Sequence, residues 1–140
     1  MFSRVSQFIP SLILRRTWSN VTQAMAKTLT YAEINQKLKT PAVLLLDVRE
    51  KSELQTDGKI DSSKNIPVGE VSTALKMSDA DFKEKYGFSK PKSSSDIVIH
   101  CKAGIRAANA AKVFIDSGYA NVQVYPGILD WVENGGVLNK

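Results

Sequence analysis

Three short apolar runs constrain the fold more than anything else in the chain. They are Ala42-Val43-Leu44-Leu45-Leu46, Asp96-Ile97-Val98-Ile99-His100 and Val122-Gln123-Val124-Tyr125. Each is too short for a core helix, and the first two lack the strict alternation of a half-solvated strand. Runs of this kind read as strands buried on both faces, as in a parallel sheet. Parallel neighbours require long crossover connections, usually helical.

The intervening segments supply those helices. Thr30-Tyr31-Ala32-Glu33 has capping-box spacing. Tyr31, Ile34 and Leu38 then recur at helical period, which predicts a helix over Tyr31–Lys39 ended by Pro41. Further helices are predicted over 50–55, 68–75, 79–86, 107–117 and 128–134. Ser78 opens the third of these and Gly87 closes it, while Gly118 and Gly135-Gly136 stop the last two. Asn65-Ile66-Pro67 reads as a short strand and turn. Strands alternating with helices over 140 residues, without a repeat, give a single α/β domain with a mostly parallel sheet.

Composition removes several classes. Hydrophobic residues are 43% and charged residues 24%, as in ordinary globular chains. One cysteine, Cys101, precludes an intramolecular disulfide and a Cys-cluster metal site, and one histidine, His100, precludes a His-rich centre. No run approaches the ~20 apolar residues of a membrane helix.

The net charge of +5 is unevenly placed. Residues 1–27 carry Arg4, Arg15, Arg16 and Lys27 and no acid. The remaining 15 Lys and Arg face 14 Asp and Glu, a net of +1. A nearly neutral body argues against a nucleic-acid-binding face. The basic, acid-free start, with Phe2, Val5, Phe8, Ile9, Leu12 and Ile13 spread through it, fits a mitochondrial transit peptide. The alternatives are a disordered or amphipathic N-terminal segment, and a cytoplasmic form started at Met25.

Ligands of open α/β sheets sit beyond the carboxyl ends of the strands. That rule points to Asp47-Val48-Arg49 and to His100-Cys101. Cys101 follows a buried strand, and the loop Cys101-Lys102-Ala103-Gly104-Ile105-Arg106 runs into a helix. Free N–H groups and the dipole at a helix start favour an anion. Gly104 permits a loop in which several N–H groups converge, and Lys102 and Arg106 add positive charge. Together these favour thiolate over thiol, and the thiolate is the nucleophile. Adjacent residues of a strand point to opposite faces, so His100 is expected to be structural. Asp47 and Arg49 are expected to pair and to support the loop. Trp131 reads as core.

HCKAGIR after an apolar strand, with LLDVRE upstream and YPGILDW downstream, resembles the rhodanese family of sulfurtransferases. Thr30, Asp47-Val48-Arg49, Asn65-Ile66-Pro67, Cys101 and Trp131 fit one complete domain over 28–140. Within that family the sequence resembles the single-domain thiosulfate:glutathione sulfurtransferase type and related small stress-associated insect rhodaneses. The resemblance implies that Cys101 takes the outer sulfur of thiosulfate as a persulfide. It then passes that sulfur to glutathione, another thiol or cyanide. Lys102, Ala103, Gly104, Ile105 and Arg106 would form the substrate cradle. Phosphatases of related fold carry five residues between Cys and Arg. Four separate Cys101 from Arg106, and the smaller loop favours sulfur over phosphate.

The chain departs from the family pattern in two places. Gly58-Lys59-Ile60-Asp61-Ser62-Ser63 lacks the usual histidine and small turn residues, which is expected to alter a surface turn. Tyr125-Pro126-Gly127-Ile128-Leu129 lacks a second glycine and an aromatic residue, which alters one pocket wall. Two further readings are a persulfide carrier or sulfide-signalling module serving a protein partner, and a non-catalytic binding module of the same fold. No cofactor is implied, and neither nucleic acid nor stable membrane insertion.

Overall fold

The computed structural model describes residues 26–140, so the N-terminal targeting expectation falls outside the described residues. Five parallel strands form one sheet, in the order β1-β5-β4-β2-β3. The strands are β1 (Lys27–Thr28), β2 (Leu44–Asp47), β3 (Lys64–Asn65), β4 (Asp96–Cys101) and β5 (Asn121–Gly127). The helices are α1 (Tyr31–Leu38), α2 (Lys51–Asp57), α3 (Val71–Ala74), α4 (Asp79–Tyr86), α5 (Ile105–Asp116) and α6 (Ile128–Glu133).

Local chemistry explains most boundaries. Thr30 accepts a hydrogen bond from the Glu33 N–H, and Glu33 accepts one from the Thr30 N–H, closing the capping box that starts α1. Ser78 caps α4, and Gly87 ends it in the left-handed conformation at φ +81°.

Helices cover both faces of the sheet. On one face Ile97, Ile99 and Cys101 of β4 pack with Val71 and Ala74 of α3, Phe82 of α4, and Ala107, Ala110, Ala111 and Phe114 of α5. Small alanines let α5 lie close to the strands. On the other face Leu45, Val98 and Tyr125 pack with Ile34 of α1 and Ile128 and Trp131 of α6. The Trp131 indole N–H donates to the Val137 carbonyl at 3.0 Å, satisfying its one polar atom in the core.

Beyond shifts of a few residues at other element ends, such as α5 starting at Ile105, the structure differs from the sequence reading as follows. β1 is an additional edge strand, pairing Lys27 with Gln123 and Thr28 with Val124. β2 starts at Leu44, because Val43 is still in a turn, its N–H donating to the Thr40 carbonyl. The helix expected over 68–75 divides into a 3-10 turn, Val68–Glu70, and α3, with the first hydrogen bond running from Glu70 N–H to the Pro67 carbonyl. The segment expected as a surface turn at 58–63 places Ile60 in the core at 1% exposure.

Candidate active site

Cys101 ends β4, the central strand of the sheet, and a bulge in its pairing with β5 sets it opposite Gly127. Gly127 has φ +125°, and a Cβ there would sit 1.7 Å from the Cys101 carbonyl oxygen. Only glycine lets the two backbones approach this closely. The thiol is 1% exposed. The Gly104 N–H donates to Sγ at 3.0 Å, and Sγ lies 3.9 Å from the Pro126 carbonyl oxygen.

Gly104 is the N-cap of α5 and adopts φ +119°. That conformation aims its N–H back at the sulfur, and the positive end of the helix dipole points the same way. The convergence of several N–H groups expected from the loop reduces, among the described residues, to this one donor. Lys102, Ala103 and Ile105 are exposed and form the rim. The Lys102 carbonyl is tied down by the Leu129 N–H of α6 at 3.2 Å.

Arg106 does not face Sγ as a free cation. Its guanidinium grips Glu53 of α2 through two bonds, Nη1 to Oε2 at 2.6 Å and Nη2 to Oε1 at 3.0 Å. That hydrogen bonding is the main reason the Glu53 carboxyl is pulled down to about 2. Arg106 thus staples the end of the loop to α2.

Asp47 and Arg49 form a second brace, with both side chains fully buried. Arg49 Nε lies 3.1 and 3.2 Å from the two Asp47 oxygens, and Nη2 lies 2.9 Å from Oδ2. Nη2 also donates to the Gly58 carbonyl at 2.8 Å. The Asn65 amide donates to the carbonyls of Asp47 and Arg49, at 2.9 Å each. Asp47 pairs in register with His100, so the brace lies next to the strand that carries Cys101.

His100 is buried, with Nε2 3.9 Å from Asp47 Oδ2 and Nδ1 3.3 Å from the Cys101 carbonyl oxygen. Burial pushes its pKa down and favours the neutral ring. Strand alternation puts its ring on the sheet face away from Sγ.

Sequence reasoning missed Glu53, the brace role of Asn65, and the close approach of Gly127. For Glu53 the visible signal was its spacing from Glu50, which marks the start of α2. It gave no hint of a partner in α5.

The model of the rhodanese-like domain matches residues 30–134. The chain belongs to the rhodanese family. A rhodanese domain-containing protein of Drosophila melanogaster is 40% identical over 109 residues, 77% of this chain and 98% of the relative. A mitochondrial thiosulfate sulfurtransferase of Saccharomyces cerevisiae is 33% identical over 135 residues, 94% of this chain and 87% of the relative. Among solved structures, a human single-domain sulfurtransferase superposes with a TM-score of 0.75 at 31% identity, covering 79% of this rhodanese and 99% of that chain.

Proposed function

We propose that this rhodanese is a thiosulfate sulfurtransferase working through a persulfide on Cys101. One observation carries the reading: a lone thiol at the carboxyl end of a buried strand, 3.0 Å from the N-cap N–H of the next helix. Relatives named as thiosulfate sulfurtransferases support the donor.

In the first half-reaction the Cys101 thiolate attacks the outer sulfur of thiosulfate. A new S–S bond forms on Cys101, the sulfur–sulfur bond of thiosulfate breaks, and sulfite leaves with the electron pair. In the second, an acceptor thiolate or cyanide attacks the terminal sulfur. The Cys101 thiolate leaves, and a persulfide or thiocyanate departs. Splitting the transfer this way is covalent catalysis.

The Gly104 N–H, aimed at Sγ, stabilises the Cys101 thiolate both as the attacking group of the first half-reaction and as the leaving group of the second. Lys102, Ala103 and Ile105 frame the entry of the substrate. Arg106 positions the loop through Glu53, and Asp47 and Arg49 hold the strand ends beneath it. A mitochondrial location is supported by the acid-free, arginine-bearing residues 1–27 and by the yeast relative's name. A fluorescent fusion of the whole chain, compared with one started at Met25, tests it.

The test of the chemistry is an intact mass after incubation with thiosulfate, beside Cys101→Ser. The expected result is a gain of one sulfur atom, absent in the variant and removed by glutathione. No adduct on the unmodified protein would overturn the reading.

A further inference from the structure

A cavity of about 430 Å³ lies beside the nucleophile's loop, between α5 and the β1–β5 edge of the sheet. Its walls include Thr28 and Val124 of the sheet, Pro126, and Gly104, Ala108 and Lys112. The two groups that touch Cys101 Sγ, the Gly104 N–H and the Pro126 carbonyl, belong to residues that line this cavity. It falls in the ~300–1,000 Å³ range of small-molecule sites.

Gly104, Ala108 and Lys112 follow one another at four-residue intervals, so they share one face of the helix. The cavity therefore runs along α5 from the thiol loop to Lys112, a backbone rise of roughly 12 Å. Helical side chains lean toward the helix N-terminus, which tips the ammonium back toward the loop. Among the described residues, Lys112 is the one charged residue lining the cavity. Among the described residues no carboxylate forms an ion pair with it.

We infer that this cavity seats the sulfur acceptor, and that Lys112 selects thiols carrying a carboxylate several bonds from the sulfur. The inference rests on the persulfide reading above. The acceptor's sulfur enters past Gly104 and Pro126 to reach the terminal sulfur of the persulfide. Its hydrocarbon or peptide body lies on Ala108 and Val124, and its carboxylate meets the Lys112 ammonium. Lys112 takes no part in bond making; it sets which thiol is held in line.

The experiment separates loading from discharge. The full chain and its Lys112→Glu and Lys112→Arg variants are loaded with thiosulfate, and the loading rate is read by intact mass. The loaded proteins are then discharged in single turnovers with glutathione or with glutathione diethyl ester, whose carboxylates are masked. One partly solvated charge-assisted contact corresponds to a preference of about tenfold. The unmodified protein should favour glutathione over the diester by about that factor, through tighter binding and not through a faster saturated rate. Lys112→Glu should abolish the preference, and Lys112→Arg should retain it. Equal discharge by the two thiols in the unmodified protein overturns the inference while leaving the persulfide reading intact. So does a Lys112→Glu loss confined to loading, which would assign the cation to thiosulfate. Absence of the persulfide in the unmodified protein overturns both.

Discussion

Arg106, the second residue of α5, closes a two-pronged ion pair with Glu53 of α2, its Nη1 and Nη2 lying 2.6 and 3.0 Å from the two carboxylate oxygens. Glu53 also accepts a hydrogen bond from the Glu50 N–H at 3.0 Å, so one carboxylate both caps α2 and fixes the loop after Cys101. Arg106→Lys keeps the charge but loses the planar fork. We expect it to lower stability by about 1–2 kcal/mol, since the pair is about one-third exposed. It should also slow sulfur loading, because the loop loses its fixed end. Urea unfolding and the rate of mass gain read the two effects. An unchanged loading rate would leave the pair a role in stability only.

The same pair gives the protein an acid-dependent element of stability. The Glu53 carboxyl is lowered from 4.5 to about 2 by its hydrogen bonding to Arg106. A group whose pKa is lower when folded stabilises the fold above its unfolded pKa, and that contribution is lost as pH falls through the folded value. The difference in unfolding midpoint between the unmodified protein and Glu53→Gln should thus be largest near neutral pH. It should shrink between pH 4.5 and pH 2. A difference that stays constant across this window would show that hydrogen bonding alone, without the charge, holds the pair.

Gly127 is a steric requirement of the Cys101 backbone. A methyl group there would lie 1.7 Å from the Cys101 carbonyl oxygen, on a residue at φ +125°. Gly127→Ala must therefore displace the bulge that carries Cys101. The expected cost is upward of about 2 kcal/mol, from strain added to clash. Loading should slow more than the loss of folded protein explains. Loading in proportion to the folded fraction would mean that the bulge relaxes without moving the thiol.

How far the sequence reaches depends on whether a feature is written locally. The capping box of Thr30 and Glu33, the buried runs of β2 and β4, and the placement of Cys101 at a strand end all follow from neighbouring residues. The Asp47–Arg49 pair was legible for the same reason, being two residues apart. β1 was not, because two exposed residues carry no pattern and are strand only through β5. Ile60 looked like part of a surface turn, yet it fills the core, since burial there depends on α1 and on residues near the C-terminus, where Lys59 bridges to Asn139. Arg106 was visible as a cation near the thiol, but its partner Glu53 lies 53 residues away in sequence. Gly127 was noticed for the glycine that does not follow it, whereas its own importance lies in a contact with Cys101.

The Asp47–Arg49 pair is buried completely, so its members are not equivalent to their absence. Arg49→Leu leaves a carboxylate without solvent or its counter-charge, and should cost about 3–5 kcal/mol. It also strands the Gly58 carbonyl, which accepts from Arg49. Asp47→Asn combined with Arg49→Leu removes the uncompensated charge and should recover part of that loss. A double variant as unstable as Arg49→Leu alone would place the cost in the Gly58 contact instead. Chemical denaturation of the three proteins, side by side, decides between the two.

Lys102 sits beside Cys101 with its side chain exposed, anchored among the described residues by its carbonyl, which accepts from the Leu129 N–H at 3.2 Å. An exposed cation at the mouth of a site raises the local concentration of an anionic substrate, and salt screens that effect. Lys102→Gln should therefore slow loading by thiosulfate a fewfold at low ionic strength. The deficit should fade near 1 M salt, where the screening length is about 3 Å. Loading by a neutral sulfur donor should change little at any salt concentration. A deficit independent of salt, and equal for the two donors, would show that Lys102 acts by holding the loop and not by drawing the anion in.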